Sequence, residues 1–214
     1  MEIFLDVLLT ILILTNFRLL GTSRLGACIQ TVIIQAIALG LLPIATHGSP
    51  LGLRITLFAI LIIIVKAVIL PWLLRRTARE VSVPDEVEPF LGFTASILVG
   101  ALLLGLCFVI SGHLQPFAVT GQNMLIPGSL FTIMAGLFLI VSRRNALMQV
   151  LGYLVMENGV YAFGVAFAIQ EPFLVEMGVL LDVFVAVFVM GIAINNISRE
   201  FDHIDTDRLS TLKE

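Results

Sequence analysis

The stretch QVLGYLVMENGVYAFGVAF, Gln149 to Phe167, decides how this chain is read. It is apolar enough to be solvated by lipid, yet Glu157 lies in its middle. The chain's two tyrosines, Tyr153 and Tyr161, stand one helical turn before and after it. An ionisable side chain at a membrane helix centre costs at least ~2.5 kcal/mol on insertion scales, and such groups face protein or water rather than lipid. Residues four apart share a helix face. Asn145, Gln149, Tyr153, Glu157 and Tyr161 therefore form one slowly winding polar ridge, which starts beside Arg143 and Arg144 and passes the midpoint of the run. Tyrosine hydroxyls both donate and accept, so the ridge can order water and relay protons. It can also simply glue the helix to its neighbours. Glutamine would glue as well at a lower desolvation cost, so Glu157 itself points to function.

The rest of the chain sets the solvent. Of 214 residues, 59% are hydrophobic and only 13% charged, against roughly 25% charged in soluble domains. Mean hydropathy is +1.08. These values describe an integral membrane protein. The opening MEIFLDVLLT carries acids where a secretory leader has a basic region, and no small-residue cleavage site follows, so the first apolar run is expected to remain as a membrane helix.

A bilayer core needs about 20 apolar residues as helix. Seven runs qualify: roughly 2–18, 25–45, 51–74, 90–111, 124–142, 145–169 and 173–197. The expected fold is all-α and polytopic, with seven transmembrane helices, because a helix satisfies its own backbone in lipid. Arginines fall after the first span (Arg18, Arg24), the third (Arg75, Arg76, Arg79) and the fifth (Arg143, Arg144), and Arg199, Arg208 and Lys213 follow the seventh. The opposite side receives only Arg54. The positive-inside rule then places the N-terminus outside and the C-terminus in the cytoplasm. The segment 75–88 reads as a solvated cytoplasmic loop.

Several chemistries are missing from the sequence. Cys28 and Cys107 sit singly in apolar runs, with no CxxC and no Cys/His cluster, so they read as buried small hydrophobes and offer no metal or iron–sulfur ligand set. There is no Walker loop, no GxSxG elbow and no basic stripe for nucleic acid. No metal and no cofactor is expected in this chain.

Three charges lie deep inside the spans: Lys66, Glu157 and Asp182. Glu157 is about 12 residues from either end of its span, ~18 Å deep at 1.5 Å per residue. Asp182 shares a face with Gly178 and Ala186, small residues that admit a close neighbour. Lys66 lies in LIIIVKAVILPWLL, where Pro71 cannot bond back to the Ala67 carbonyl. Snorkelling to the surface is the structural reading for Lys66, but the cytoplasmic edge lies ~13 Å away. Trp72 reads as an interfacial anchor, and Asp6 as reaching the outer surface. Burial disfavours the charged form of acids and amines alike, so three titratable groups on three helices suggest a proton path rather than bond-making chemistry.

Three segments, SRRNALMQVLGYLVMENG, VEMGVLLDVFVAVFVMGIAINNI and the tail HIDTDRLSTLKE, resemble component E of hydrogenase-4 type membrane-bound hydrogenases. That family is related to the K subunit of respiratory complex I and to the C subunit of Mrp antiporters. The resemblance implies an N-terminal four-helix region (1–122), a three-helix K-subunit-like region (123–199) and a cytoplasmic tail (200–214). It implies that Glu157 matches the first of the K subunit's two intramembrane glutamates. Asp182 matches the second, one methylene shorter and within a two-residue shift. It further implies a non-catalytic subunit in the inner (plasma) membrane. Its partners would be antiporter-like and other membrane-arm subunits, with nickel–iron and iron–sulfur centres held in a hydrogenase module elsewhere. The expected proton-transfer set is Glu157, Asp182, Lys66, Tyr153, Tyr161 and Gln149. The competing functions are an Mrp-type cation/proton antiporter subunit and a purely structural bridge.

Overall fold

Long apolar runs become helices here because lipid leaves the backbone no other partner than itself. The computed structural model describes residues 2–22, 24–46, 60, 61, 63–80, 92–114, 124–143, 145–167, 178, 181–189 and 191. Helix α1 spans Glu2–Leu20 and α2 Leu25–Thr46. A π-helical turn, Ile64–Ile69, runs directly into α3, Leu70–Glu80. Helix α4 spans Phe93–Leu114, α5 Leu125–Ser142 and α6 Ala146–Ala166. Helix α7 covers 181–189. The described residues contain no strand beyond single bridging residues. The described helices lie within the seven expected runs or overlap them. Residues 51–59 of the third run, most of the outer part of the seventh and the tail 200–214 lie outside the described residues.

By length and composition, Ile3–Leu20, Leu25–Pro43, Phe93–Leu114 and Leu125–Ser142 can each cross a membrane. Helix α6 is as long, at 21 residues, but Gln149, Glu157 and Asn158 dilute its hydropathy. One expectation needs correcting. Segment 75–88 is not loop throughout, since α3 continues through Glu80. The sequence there is amphipathic: Leu73, Leu74 and Thr77 are buried while Arg75, Arg76 and Arg79 are exposed. The arginines project from the exposed side of a helix whose other side, through Ala78, stays packed on the bundle. Arg76 stacks over Trp72, 5.6 Å from the ring centroid.

Helices α5 and α6 are antiparallel neighbours in very close contact. A Cβ on Gly136 would collide with the Met156 backbone. One on Gly152 would sit 2.9 Å from the Ile140 amide nitrogen, and one on Gly159 would sit 2.5 Å from that of Ile133. Only glycine permits this approach. At the other edge, α4 buries a stripe of small residues, Ser96, Gly100, Cys107 and Ser111, and leaves Leu98, Leu102, Leu106 and Val109 exposed. That is the pattern of a helix with one side to lipid.

Two apolar clusters hold the bundle. One gathers Leu19 and Leu20 of α1, Leu25 to Val32 of α2, Leu70 to Leu74 of α3, Leu147 to Val155 of α6, and Val185 and Val189 of α7. The other gathers Leu5 to Leu12, Ala38 to Ala45, Leu125 and Ile126, and Ala162 to Ala166. Along α1, α2, α5 and α6 a polar layer separates them, with Thr15 and Asn16, Gln35, Thr132, and Glu157 and Asn158 all buried. At the end of the bundle with the arginines, buried Arg143 donates from Nη2 to the carbonyls of Leu19 (3.4 Å), Leu20 (3.2 Å) and Thr22 (3.4 Å). A cation on the terminal carbonyls complements the negative end of the α1 dipole. It also places the C-terminal ends of α1 and α5 together.

Candidate buried charge cluster

Lys66 owes its position to Pro71. Proline has no N–H, so the α-helical bond from residue 71 to residue 67 cannot form. Just ahead of it the Leu70 N–H bonds to the Val65 carbonyl, five residues back, and the chain takes a π turn. Such turns insert an extra residue and re-aim side chains. Lys66 is turned inward, 8% exposed, and does not snorkel. Its Nζ donates to Glu157 Oε1 at 2.6 Å and to Asn158 Oδ1 at 3.3 Å. Asp182 Oδ1 lies 4.0 Å away.

The glycine seam aims Glu157. Gly152 and Gly159 face α5, and at 100° per residue Glu157 points ~150° away from that contact, while Asn158 points ~110° the other way. Glu157 therefore faces the π turn and α7, and Asn158 faces α2. From α7, Asp182 is buried on the side opposite the exposed Val183, Phe184, Val187 and Phe188. Gly178, one turn earlier, lies against the same carboxylate: a Cβ there would sit 3.5 Å from Glu157 Oε1, an ordinary contact distance. The three charges that the sequence singles out are thus brought to one point from three segments. Glu157 Oε2 and Asp182 Oδ1 are buried and have no hydrogen-bond partner among the described residues. Those two oxygens are where a proton can be accepted without breaking an existing hydrogen bond.

The cluster does not end at Asn158. Asn158 Nδ2 donates to Gln35 Oε1 (3.5 Å). Gln35 Nε2 donates to Thr15 Oγ1 (3.0 Å) and Asn16 Oδ1 (2.7 Å), and Asn16 Nδ2 donates to Thr132 Oγ1 (2.8 Å). Sequence reasoning missed all five of these residues. The signal was available but weaker, because a neutral amide or hydroxyl inside an apolar run costs less than the ionisable group that singled out Glu157, yet still seeks a partner.

The remaining expected residues lie further off. Asn145 caps α6, accepting from the Leu147 N–H at 2.9 Å, and Gln149 Nε2 donates to the Arg143 carbonyl at 3.1 Å. Tyr153 and Gln149 line a cavity of about 240 Å³ with Ile140, Val150, Phe184, Val185 and Phe188, between α5, α6 and α7. Tyr161 packs against the second apolar cluster. Cys28 and Cys107 are buried free thiols. The described residues contain no group of three His, Cys, Asp or Glu side chains able to hold a metal.

Residues 124–214 match the family model of NADH-ubiquinone/plastoquinone oxidoreductase chain 4L. The chain is 33% identical over 151 residues to hydrogenase-4 component E of Escherichia coli, covering 70% of this chain and 69% of that protein. The same figures hold for hydrogenase-4 component E of Shigella flexneri. An uncharacterized protein of Mycobacterium tuberculosis is 27% identical over 207 residues, 95% of this chain and 93% of its own length. No solved structure matches significantly. With helices of membrane-spanning length and a component E relative matched over two thirds of its length, this chain belongs to the hydrogenase-4 component E family.

Proposed function

We propose that the chain is a non-catalytic membrane-arm subunit of a hydrogenase-4 or complex I-like assembly, and that Glu157, Asp182 and Lys66 pass protons through it. The family and the membrane-spanning helices support the first statement. One observation carries the second: a single buried ammonium is shared by two buried acids, at 2.6 Å from one and 4.0 Å from the other.

That geometry works as a two-position switch. While Glu157 is ionised, its carboxylate holds Lys66. A proton arriving at Oε2 cancels the charge, and Asp182 becomes the better ion-pair partner. A unit charge at 4 Å is worth about 4 kcal/mol at an effective dielectric of 20, enough to decide which acid keeps its proton. The ammonium moves toward Asp182, and the proton held there is released to the next carrier. Tyr153, one turn from Glu157, and Gln149 open this route to water through the cavity they line, and Tyr161 extends the ridge on the far side. The arginines at the ends of α1, α3 and α5 favour a cytoplasmic position for that end, in the plasma (inner) membrane. Redox chemistry, with its nickel–iron and iron–sulfur centres, belongs to other subunits, and antiporter-like membrane subunits are the neighbours that would hand protons on.

Carboxamide replacement of each acid in the assembled complex tests the proposal. Glu157→Gln and Asp182→Asn are each expected to leave the redox module turning over while translocation is lost. Normal translocation in both would instead favour a structural bridge, a role for which the buried amide layer would suffice.

A further inference from the structure

The buried amide chain runs in one direction only. Thr132 Oγ1 donates its single hydrogen to the Gly128 carbonyl (2.7 Å), and Thr15 Oγ1 donates its own to the Leu12 carbonyl (2.8 Å). Each hydroxyl has one proton, and both are committed to backbone acceptors. Toward the chain these oxygens can only accept. Asn16 must therefore turn its Nδ2 to Thr132, which leaves Oδ1 facing Gln35. Gln35 must turn its Nε2 to Thr15 and Asn16, which leaves Oε1 facing Asn158. Asn158 must give Nδ2 to Gln35, which leaves Oδ1 facing Lys66. The orientation of every amide follows from the two terminal hydroxyls, and the donor-only ammonium of Lys66 demands the same direction from the other end. It does not depend on telling nitrogen from oxygen in any one of them.

We infer that Thr15, Asn16, Gln35, Thr132 and Asn158 form an oriented dipole chain that presents a fixed acceptor to Lys66 and holds its ammonium between Glu157 and Asp182. The residues beyond Asn158 are positioning residues, acting through it; the inference rests on the proposed role of Lys66 as the shared counter-charge. Three acceptors then face the ammonium: Glu157 from α6, Asp182 from α7, and the carbonyl end of Asn158. Only the first two can be neutralised by protons. The third stays constant, so Lys66 keeps a partner while the charge on Glu157 comes and goes. The chain also stops protons leaking sideways, because an amide passes a proton on only through an unfavourable tautomer. The seam through α1 and α2 is an anchor for the switch, and no branch of the proton path.

The test removes the two terminal hydroxyls without touching the charges. Thr15→Val/Thr132→Val is close in shape to the native pair and removes the acceptors that anchor the far end of the amide chain. Thr15→Ser/Thr132→Ser keeps both hydroxyls. In the purified, assembled complex, the infrared carboxylate band of Glu157 is identified by its loss in Glu157→Gln. It reports the Lys66–Glu157 contact whether or not protons are pumped. The band is expected to shift in the valine variant and to keep its wild-type position in the serine variant. Gln35→Met, which deletes the middle of the chain at similar volume, is expected to shift it likewise. An unmoved band in the valine or methionine variant overturns the inference. So does loss of assembly in both with the serine variant intact, since the chain would then be holding helices together rather than Lys66. A shifted band together with normal translocation in Glu157→Gln would leave the dipole chain standing and remove the proton-transfer reading.

Discussion

Lys66→Met is expected to destabilise the protein by about 3–5 kcal/mol, the usual cost of removing one partner from a buried ion pair. Glu157 would lose its 2.6 Å contact and Asp182 its only nearby cation among the described residues, with both acids still buried. Asn158 Oδ1 would lose its donor as well. The loss should appear as a lower melting temperature of the detergent-purified complex, or as failure of the subunit to assemble. Adding Glu157→Gln should restore part of it, because the double variant buries one unpaired acid, Asp182, in place of two. A double variant no more stable than Lys66→Met alone would show that the pair contributes little and that lysine serves only to fill space.

Gly136→Leu is expected to be the most disruptive single change outside the charges. Even a Cβ at this position meets the Met156 backbone, and helix backbone cannot turn aside as a flexible side chain can. Overpacking costs typically 1–3 kcal/mol, and here it must push α6 off α5. The consequence reaches the cluster, because the Gly152 and Gly159 seam sets the direction in which Glu157 points. Gly136→Leu should therefore lower the melting temperature and also impair translocation in whatever complex survives. Gly105→Leu, where an added Cβ meets nothing within 4 Å, is the control and should do neither.

The helices and the three charges could be read directly from the sequence. Lipid imposes helix on any long apolar run, and it makes Lys66, Glu157 and Asp182 conspicuous because each is costly there. The α3 extension to Glu80 was hidden because arginines three and four apart look like loop until their buried partners, Leu73, Leu74 and Thr77, are known. The Pro71 π turn was half visible: the missing bond could be inferred, but not the five-residue register that turns Lys66 inward. The amide layer was missed for a different reason. Asn16, Gln35 and Asn158 lie on three different helices, and helices this apolar all round carry too weak a period to show which way an amide points. Their meeting depends on how the helices rotate against one another, and glycines that sequence alone leaves ambiguous set that rotation for α6. The ridge shows the converse. The four-residue spacing is present, but Asn145 and Gln149 are engaged at the helix N-terminus, and only Glu157 is seen to reach the cluster.

The most direct measurement of the central claim is the number of protons moved per turnover by the complete complex in sealed vesicles, with wild-type chain and with Glu157→Gln. The redox activity of the two should be compared in the same preparation. Glutamine keeps the shape and can still accept from Lys66, so assembly is expected to persist while protons moved per turnover fall to near zero. A Glu157→Gln complex that assembles, turns over and moves as many protons as the wild type would contradict it.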